Sequence, residues 1–399
     1  MKLRPEVKKA FLIGAICAIA YGSVYICRDI LSALSPQLTE AGIFNTDQLG
    51  TLSSVFFVTY AVGQLINGII GDKVSGKYMV SFGLILASLC LFAMPHITQL
   101  GAAPFIVYGA MGFFLAMIYA PMTKLISENL EADLATRCHV GHAMASYAAA
   151  PIAGLFAAWM VWTPAFNASS TILLIMGIVF FVSFTIFEKK GLVQPNRFKA
   201  KKEAGGNIKV LLKREILKWT VVSMLTGIVR TAVLFWLPTY ISQHLSFDAE
   251  SSALLYAVGT SVIAINSILA VVILDWLKQD LNKAILLFFS VAATCFLGVF
   301  LVQQPHINLA LLVLAMIFSN CASSLMWSRY CPSLIDTGMV SSATGYLDFC
   351  SYMAAAISSK LFAGAVGAIG WSNLILVWFA LMCCGVIVAL PFRKKVKVS

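Results

Sequence analysis

The chain has 399 residues, 60% of them hydrophobic and 11% charged, with a formal net charge of +11. Soluble domains carry about a quarter charged residues, so this composition excludes a water-soluble globular protein and requires a chain solvated largely by lipid. The positive balance would suit a nucleic-acid binder, but most of the cations cluster at Lys2–Lys9, Lys189–Lys218 and Arg393–Lys397, with smaller groups near Lys73–Lys77, Lys124–Arg137 and Lys278–Lys283. No nucleic-acid partner is expected from that distribution.

Apolar segments near the ~20 residues that a bilayer requires recur along the chain and predict twelve spans. They fall at 8–36, 48–71, 77–95, 101–124, 135–162, 167–188, 216–243, 250–276, 283–303, 308–330, 338–368 and 371–391. The cationic clusters occupy every second loop. The intervening loops, around Thr39–Asp47, His96–Gln99, Thr163–Asn167, His244–Glu250, Gln303–Asn308 and Gly370–Ser372, contain no Lys or Arg. By the positive-inside rule both termini are expected in the cytoplasm of a plasma or inner membrane; a monomer is the expected working unit. The first segment runs on through Arg28 to Pro36 without a small-residue cleavage site, so no cleavable signal peptide is expected. Ten Cys lie scattered in apolar spans without CxxC or Cys/His spacing; they read as packing residues, and neither a metal nor any other cofactor is expected. The Asn167-Ala168-Ser169 sequon sits in a loop too short to hold a glycan clear of the membrane.

One long polar connection, 189–215, divides the chain into an N-terminal bundle, 1–188, and a C-terminal bundle, 216–399, of six spans each. The halves carry matching landmarks. Arg28 precedes Pro36 by eight residues, as Arg230 precedes Pro238; Asp72 follows Arg28 by 44 positions and Asp275 follows Arg230 by 45; Phe44 and Phe247 follow the two arginines by 16 and 17. Three matches in register read as a duplicated six-helix unit, giving an all-α polytopic protein with two pseudo-symmetric halves, the architecture of the major facilitator transporters. Between spans 2 and 3, Gly68-Ile69-Ile70-Gly71-Asp72-Lys73-Val74-Ser75-Gly76-Lys77 resembles that superfamily's loop motif G-x-x-x-D-(R/K)-x-G-(R/K)-(R/K), with one extra residue before the second Gly. Asp72 and Lys73 are gating candidates, with Asp275 a degraded second copy; the alternative is a solvated charged turn.

Within the spans, polar residues are few and patterned. Tyr21, Tyr25 and Arg28 lie at i, i+4 and i+7, on one face of a helix. An arginine at membrane depth costs several kcal/mol and normally faces protein or a watery path. Arg28 and its counterpart Arg230 present planar forked donors suited to phosphate or carboxylate. Alternatively, each pairs permanently with an intramembrane acid, Asp29 or Asp348. Tyr60, Gln64 and Asn67 form a second polar face on span 2, and His139, His142 and Ser146 a third on span 5. Tyr256 and Thr260, then Tyr346 and Tyr352, add hydroxyls on spans 8 and 11, and Trp236 is placed at a cavity wall. Asp29, His142 and Asp348 are the groups able to carry a coupling proton. Lys124 and Arg329 read as interfacial or gate residues near cytoplasmic span ends, and Lys360 has no assignment. No nucleophile–base set, metal-ligand cluster or phosphate-cradling glycine loop appears, so no enzyme is expected.

At these residues the chain resembles the organophosphate:phosphate antiporter family, which includes glycerol-phosphate and hexose-phosphate antiporters. Tyr21-x3-Tyr25-x2-Arg28 is similar to that family's first-helix motif. Arg230-Thr-Ala-Val-Leu-Phe-Trp236-Leu-Pro238-Thr239-Tyr240 is similar to its R-(x)5-W-x-P-T-Y stretch and is the more specific match. Gly345-Tyr346 with Tyr352, and Gly370-Trp371, are also similar. The resemblance implies that both arginines bind phosphate and that an organic phosphate exchanges for inorganic phosphate by alternating access. The chain departs from the pattern at Asp29 and Gln64, where members carry lysines, at Phe235, where they carry an acid, and in the register of His142 to Pro151. Fewer cations and an added acid would suit a monocarboxylate or zwitterion, carried by proton symport. The family's hexose-phosphate receptor adds a third expectation, a membrane sensor that binds such a ligand.

Overall fold

The structure is a computed structural model that describes residues 5–71, 74–194, 211–212, 214–331, 333 and 340–390. Among these the regular elements are all helical, as lipid demands, because a helix satisfies its backbone N–H and C=O groups within itself. Ten stretches are long and apolar enough to cross a bilayer; Met144–Trp159 contributes one more, and Ala343–Ala389 holds two, making twelve spans among the described residues. Span 1 is Pro5–Glu40, span 2 Thr46–Gly71, span 3 Gly76–Ile97, span 5 Ala132–Trp159 and span 6 Trp162–Lys189. Span 4 joins Ala103–Leu115 to Tyr119–Asn129. Span 7 is Ile216–Gln243, span 8 Ala249–Trp276, span 9 Leu281–Leu301 and span 10 Pro305–Tyr330. The last helical run, Val340–Ala389, is broken at Gly370 (φ 75°, ψ 170°) into span 11, 340–369, and span 12, 371–389. That backbone conformation is essentially restricted to glycine.

The spans lie close to their predicted positions, but their interiors are less regular than apolar periodicity indicates. Spans 7 and 10 contain π-helical segments, Ile228–Val233 and Met326–Tyr330. Span 8 is interrupted between Ile263 and Asn266. A π segment adds a residue to a turn, and neither it nor the break in span 8 changes composition, so hydropathy does not register them.

Neighbouring spans meet through small residues, as lipid-embedded helices do. Spans 2 and 4 pack closely, with Gly112 set so near span 2 that a Cβ would stand 2.6 Å from the Phe56 carbonyl and 2.7 Å from Thr59 Oγ1. Span 3 packs on spans 4 and 6, and span 1 on spans 5 and 6. The later spans repeat these partnerships: 8 with 10 and 9 with 10, 7 with 11 through Gly227 against Ser351, and 9 with 12 through Phe296 and Trp378 at 5.9 Å. A duplicated six-helix unit produces this recurrence.

The turns that end spans 1 and 7 match as well. Gly42 (φ 66°) and Ser246 (φ 61°) both take left-handed backbone. Phe44 N–H then donates to the Leu38 carbonyl, and Phe247 N–H to the Ile241 carbonyl. Next, Asn45 and Asp248 each accept a backbone N–H three residues on, from Gln48 and Ser251. The Ser251 hydroxyl and N–H hold the Asp248 carboxyl below its ordinary value. The spacing of Phe44 and Phe247 noted in the sequence is the trace of this shared turn.

The chain forms two compact units. One comprises Met1–Glu203, Phe235–Ser261 and Ala356–Ala363; the other comprises Ala204–Leu234, Val262–Ala355 and Gly364–Ser399.

Candidate functional site

In the first unit, one helical face of span 1 presents Tyr21, Tyr25 and Arg28 together. The Tyr21 and Tyr25 hydroxyls are 3.4 Å apart and their rings meet edge-on at 5.1 Å. The Arg28 guanidinium carbon lies 5.0 Å from the centre of the Tyr25 ring, 5.4 Å from Phe57 and 5.9 Å from Tyr60. Three ring faces thus receive a cation whose side chain is 9% exposed, the arrangement in which cation–π attraction holds a charge without neutralising it. Asp29 approaches with one oxygen 3.9 Å from Arg28 Nε. A tight charge-assisted contact would be about 2.7–2.9 Å, so this ion pair, made through Nε, is a loose one. Tyr108, which donates to the Arg28 carbonyl at 3.5 Å, and the fully buried Tyr256 both lie within electrostatic reach of Arg28 and Asp29.

Tyr21 extends the cluster towards span 5, with Tyr119 at 5.5 Å and the buried His142 at 5.8 Å. Tyr60 stacks on Phe56 at 5.9 Å, and Gln64 follows one turn later, half-buried. Asn67 departs from the expected polar face. It is buried and donates to the Phe113 carbonyl at 3.2 Å, pinning span 2 to span 4. The His139 side chain, like Asp72 and Lys73, lies outside the described residues. Phe57 went unnoticed in the sequence because a phenylalanine in an apolar span carries no signal; only its i, i+3 relation to Tyr60 could have pointed to it.

Trp236, fully buried, donates its indole N–H to the Ser359 carbonyl at 3.3 Å. Beside it, Ser32 Oγ donates to the Phe235 carbonyl at 2.6 Å, Ser35 and Thr239 share a hydrogen bond of 2.7 Å, and Ser53 and Ser359 another of 2.7 Å. Lys360 Nζ reaches Asp47 Oδ1 and Thr51 Oγ1, each at 2.7 Å.

In the second unit, Arg230 stands on the π-helical segment of span 7, its guanidinium carbon 5.6 Å from the Tyr352 ring. The helix is brought to span 11 by Ser223, which donates to the Leu347 carbonyl at 2.6 Å, and by Gly227, where a Cβ would stand 2.8 Å from the Ser351 carbonyl. Ser223, Gly227 and Arg230 recur at i, i+4 and i+7, so one face both packs and delivers the cation. Asp348 lies one turn before Tyr352, half-buried, and Tyr346 is 44% exposed. Asp275 is exposed at the end of span 8 and accepts from Gln279. Lys124 meets Glu128 at 3.9 Å. Of the loop motif, Lys77 pairs with Glu188 at the end of span 6 and lies 4.8 Å from the Tyr78 ring. No cluster of three or more metal-ligating side chains occurs among the described residues.

The sequence profile described as Major Facilitator Superfamily matches residues 17–359. Membrane sensor protein UhpC of Salmonella typhimurium is 27% identical over 84 residues, 21% of this chain and 19% of that protein. Sugar phosphate exchanger 3 of Mus musculus is 39% identical over 66 residues, 16% of this chain and 13% of that protein. The matched region is thus under a fifth of the length of those relatives. Among solved structures, a D-xylose-proton symporter superposes with a TM-score of 0.71 at 12% identity, over 96% of each chain. A bacterial homologue of the human lysosomal transporter Spinster does so with a TM-score of 0.69 at 11% identity, over 97% of this chain and 94% of that one. These two share the fold.

Proposed function

Because this chain belongs to the Major Facilitator Superfamily, a family of membrane transporters rather than enzymes, we propose that it moves a small organic anion by alternating access, exchanging an organophosphate for inorganic phosphate. The observation that carries this reading is the buried Arg28 guanidinium resting on the faces of Tyr25, Phe57 and Tyr60, at membrane depth in span 1. Arg230 against Tyr352 supplies a second cation of the same kind. A guanidinium stays charged and matches phosphate with two parallel N–H donors. A forked cation of this kind suits the organic phosphate on one leg of the exchange and inorganic phosphate on the other. The similarity to a protein named for sugar phosphate exchange supports the substrate class. The proposed topology puts both termini and the 189–215 connection in the cytoplasm.

The test is thermal stabilisation of the purified protein by inorganic phosphate and by a sugar phosphate. A ligand at 100-fold over its Kd adds about 2.7 kcal/mol to apparent stability. Wild type is expected to respond and Arg28→Lys and Arg230→Lys to lose the response, since lysine keeps the charge but not the fork. Equal responses in wild type and both variants would remove the arginines from the site. Stabilisation by carboxylates alone would remove phosphate from the reading.

Asp29 beside Arg28 favours one alternative, proton-coupled symport of a carboxylate or zwitterion. Uptake that needs an imposed pH gradient and is abolished in Asp29→Asn would establish it. The similarity to a membrane sensor protein favours another, ligand binding without appreciable flux, which liposome counterflow distinguishes.

A further inference from the structure

Lys360 had no role in the sequence, and the compact unit that contains it shows what surrounds it. A lysine inside a lipid-spanning helix is retained where its charge meets a partner. Lys360 Nζ donates at 2.7 Å to Asp47 Oδ1 and at 2.7 Å to Thr51 Oγ1, on the first two turns of span 2. One residue earlier, the Ser359 hydroxyl meets Ser53 at 2.7 Å, and the Ser359 carbonyl accepts the Trp236 indole N–H. Gly50 makes room for this approach: a Cβ there would run into Ala363, and would stand 3.1 Å from the Ser359 carbonyl and 3.3 Å from the Trp236 ring. Two further closures accompany it. Ser32 and Ser35 of span 1 bond to Phe235 and Thr239 of span 7, and a Cβ on Gly154 of span 5 would stand 3.0 Å from the Ala253 carbonyl of span 8. First-half and second-half helices are therefore joined here by small residues, hydroxyl pairs and one ion pair, on the side of the molecule where the loops lack Lys and Arg.

We propose that Lys360 is the latch of an outer gate: its ammonium, seated on Asp47 and Thr51, fastens span 11 to span 2 and is released each time the carrier opens outward. This rests on the transport and topology readings above and assigns to Lys360 a positioning role, with no contact to substrate.

The test is alkylation of Ser359→Cys by a membrane-impermeant maleimide, in intact cells and in inside-out vesicles. It needs no substrate, so it does not depend on phosphate being carried. Adding Lys360→Ala or Asp47→Ala is expected to speed labelling from outside about two- to fivefold, the range open to an exposed ion pair. Lys360→Arg should retain the wild-type rate. About 1 M salt, which shortens the screening length to about 3 Å, should raise wild-type labelling towards that of Lys360→Ala and leave that variant unchanged. In a second variant, Ser53→Cys/Ser359→Cys, oxidation should stop phosphate exchange and a reductant restore it. The latch is overturned if neither alanine variant changes labelling, if the cross-linked protein exchanges at the uncross-linked rate, or if faster labelling appears only in inside-out vesicles. Labelling as expected in a protein that phosphate neither stabilises nor exchanges through would uphold the latch and overturn the anion assignment.

Discussion

Each ring face around the Arg28 guanidinium contributes about 0.5–2 kcal/mol of cation–π attraction. Phe57→Leu is therefore expected to weaken phosphate stabilisation severalfold, whereas Phe57→Tyr keeps the face and the response; a ligand titration of Tm reads both. Asp280 offers a residue-scale test of stability alone. It caps span 9 by accepting the Lys283 N–H at 3.1 Å, and that backbone donor holds its carboxyl below the ordinary value. Asp280→Ala should cost about 1 kcal/mol at neutral pH. Because the folded value is the lower one, the stabilisation is full above the unfolded value of about 3.9 and is lost as pH falls through the folded value. The Tm gap between wild type and variant should close in acid. At this scale the sequence shows charges that lipid disfavours, so Arg28 and Arg230 stood out. It could not show what they rest on: Phe57 is indistinguishable from lipid-facing phenylalanines, and Asn67 looks like cavity lining until Phe113 is beside it. Lys360 was visible but unassignable, since Asp47 lies 313 positions away.

Of the two candidate arginines, Arg28 stands on a regular α-helix and Arg230 on an interruption of regular winding. Arg230 stands on six π-helical residues, Ile228–Val233, and a widened turn redirects a side chain by a fraction of a helical revolution. The neighbouring Gly227 sets how near span 11 comes, so Gly227→Val is expected to cost about 1–3 kcal/mol by overpacking and to displace Tyr352 from Arg230. Loss of phosphate response beyond what the lowered Tm explains would confirm the second effect. Span positions were legible because twenty apolar residues in a row have few other uses. The π segments were not, because winding leaves composition unchanged. The turn shared by spans 1 and 7 lay between: Phe44 and Phe247 showed in the spacing, while the left-handed backbone at Gly42 and Ser246 was readable only at the glycine.

For the whole molecule, the recurrence of neighbour pairs 2·4 with 8·10 and 3·4 with 9·10 gives the sequence repeat a packing basis. Because cationic loops alternate with loops lacking Lys and Arg, trypsin is expected to cut the 189–215 connection in inside-out vesicles and not in intact cells. Cutting in intact cells would reverse the proposed topology. The set of contacts around Ser53, Ser359 and Thr239 has one more consequence. Separating those helices would wet hydroxyls, one ion pair, glycine and alanine together with the indole of Trp236. Polar hydration lowers heat capacity and apolar hydration raises it, so the hydroxyls and the ion pair offset part of what the indole adds. The equilibrium between sealed and open forms should then curve less in a van't Hoff plot than a wholly apolar seam would make it, and the carrier's balance of states should drift less as temperature changes around it.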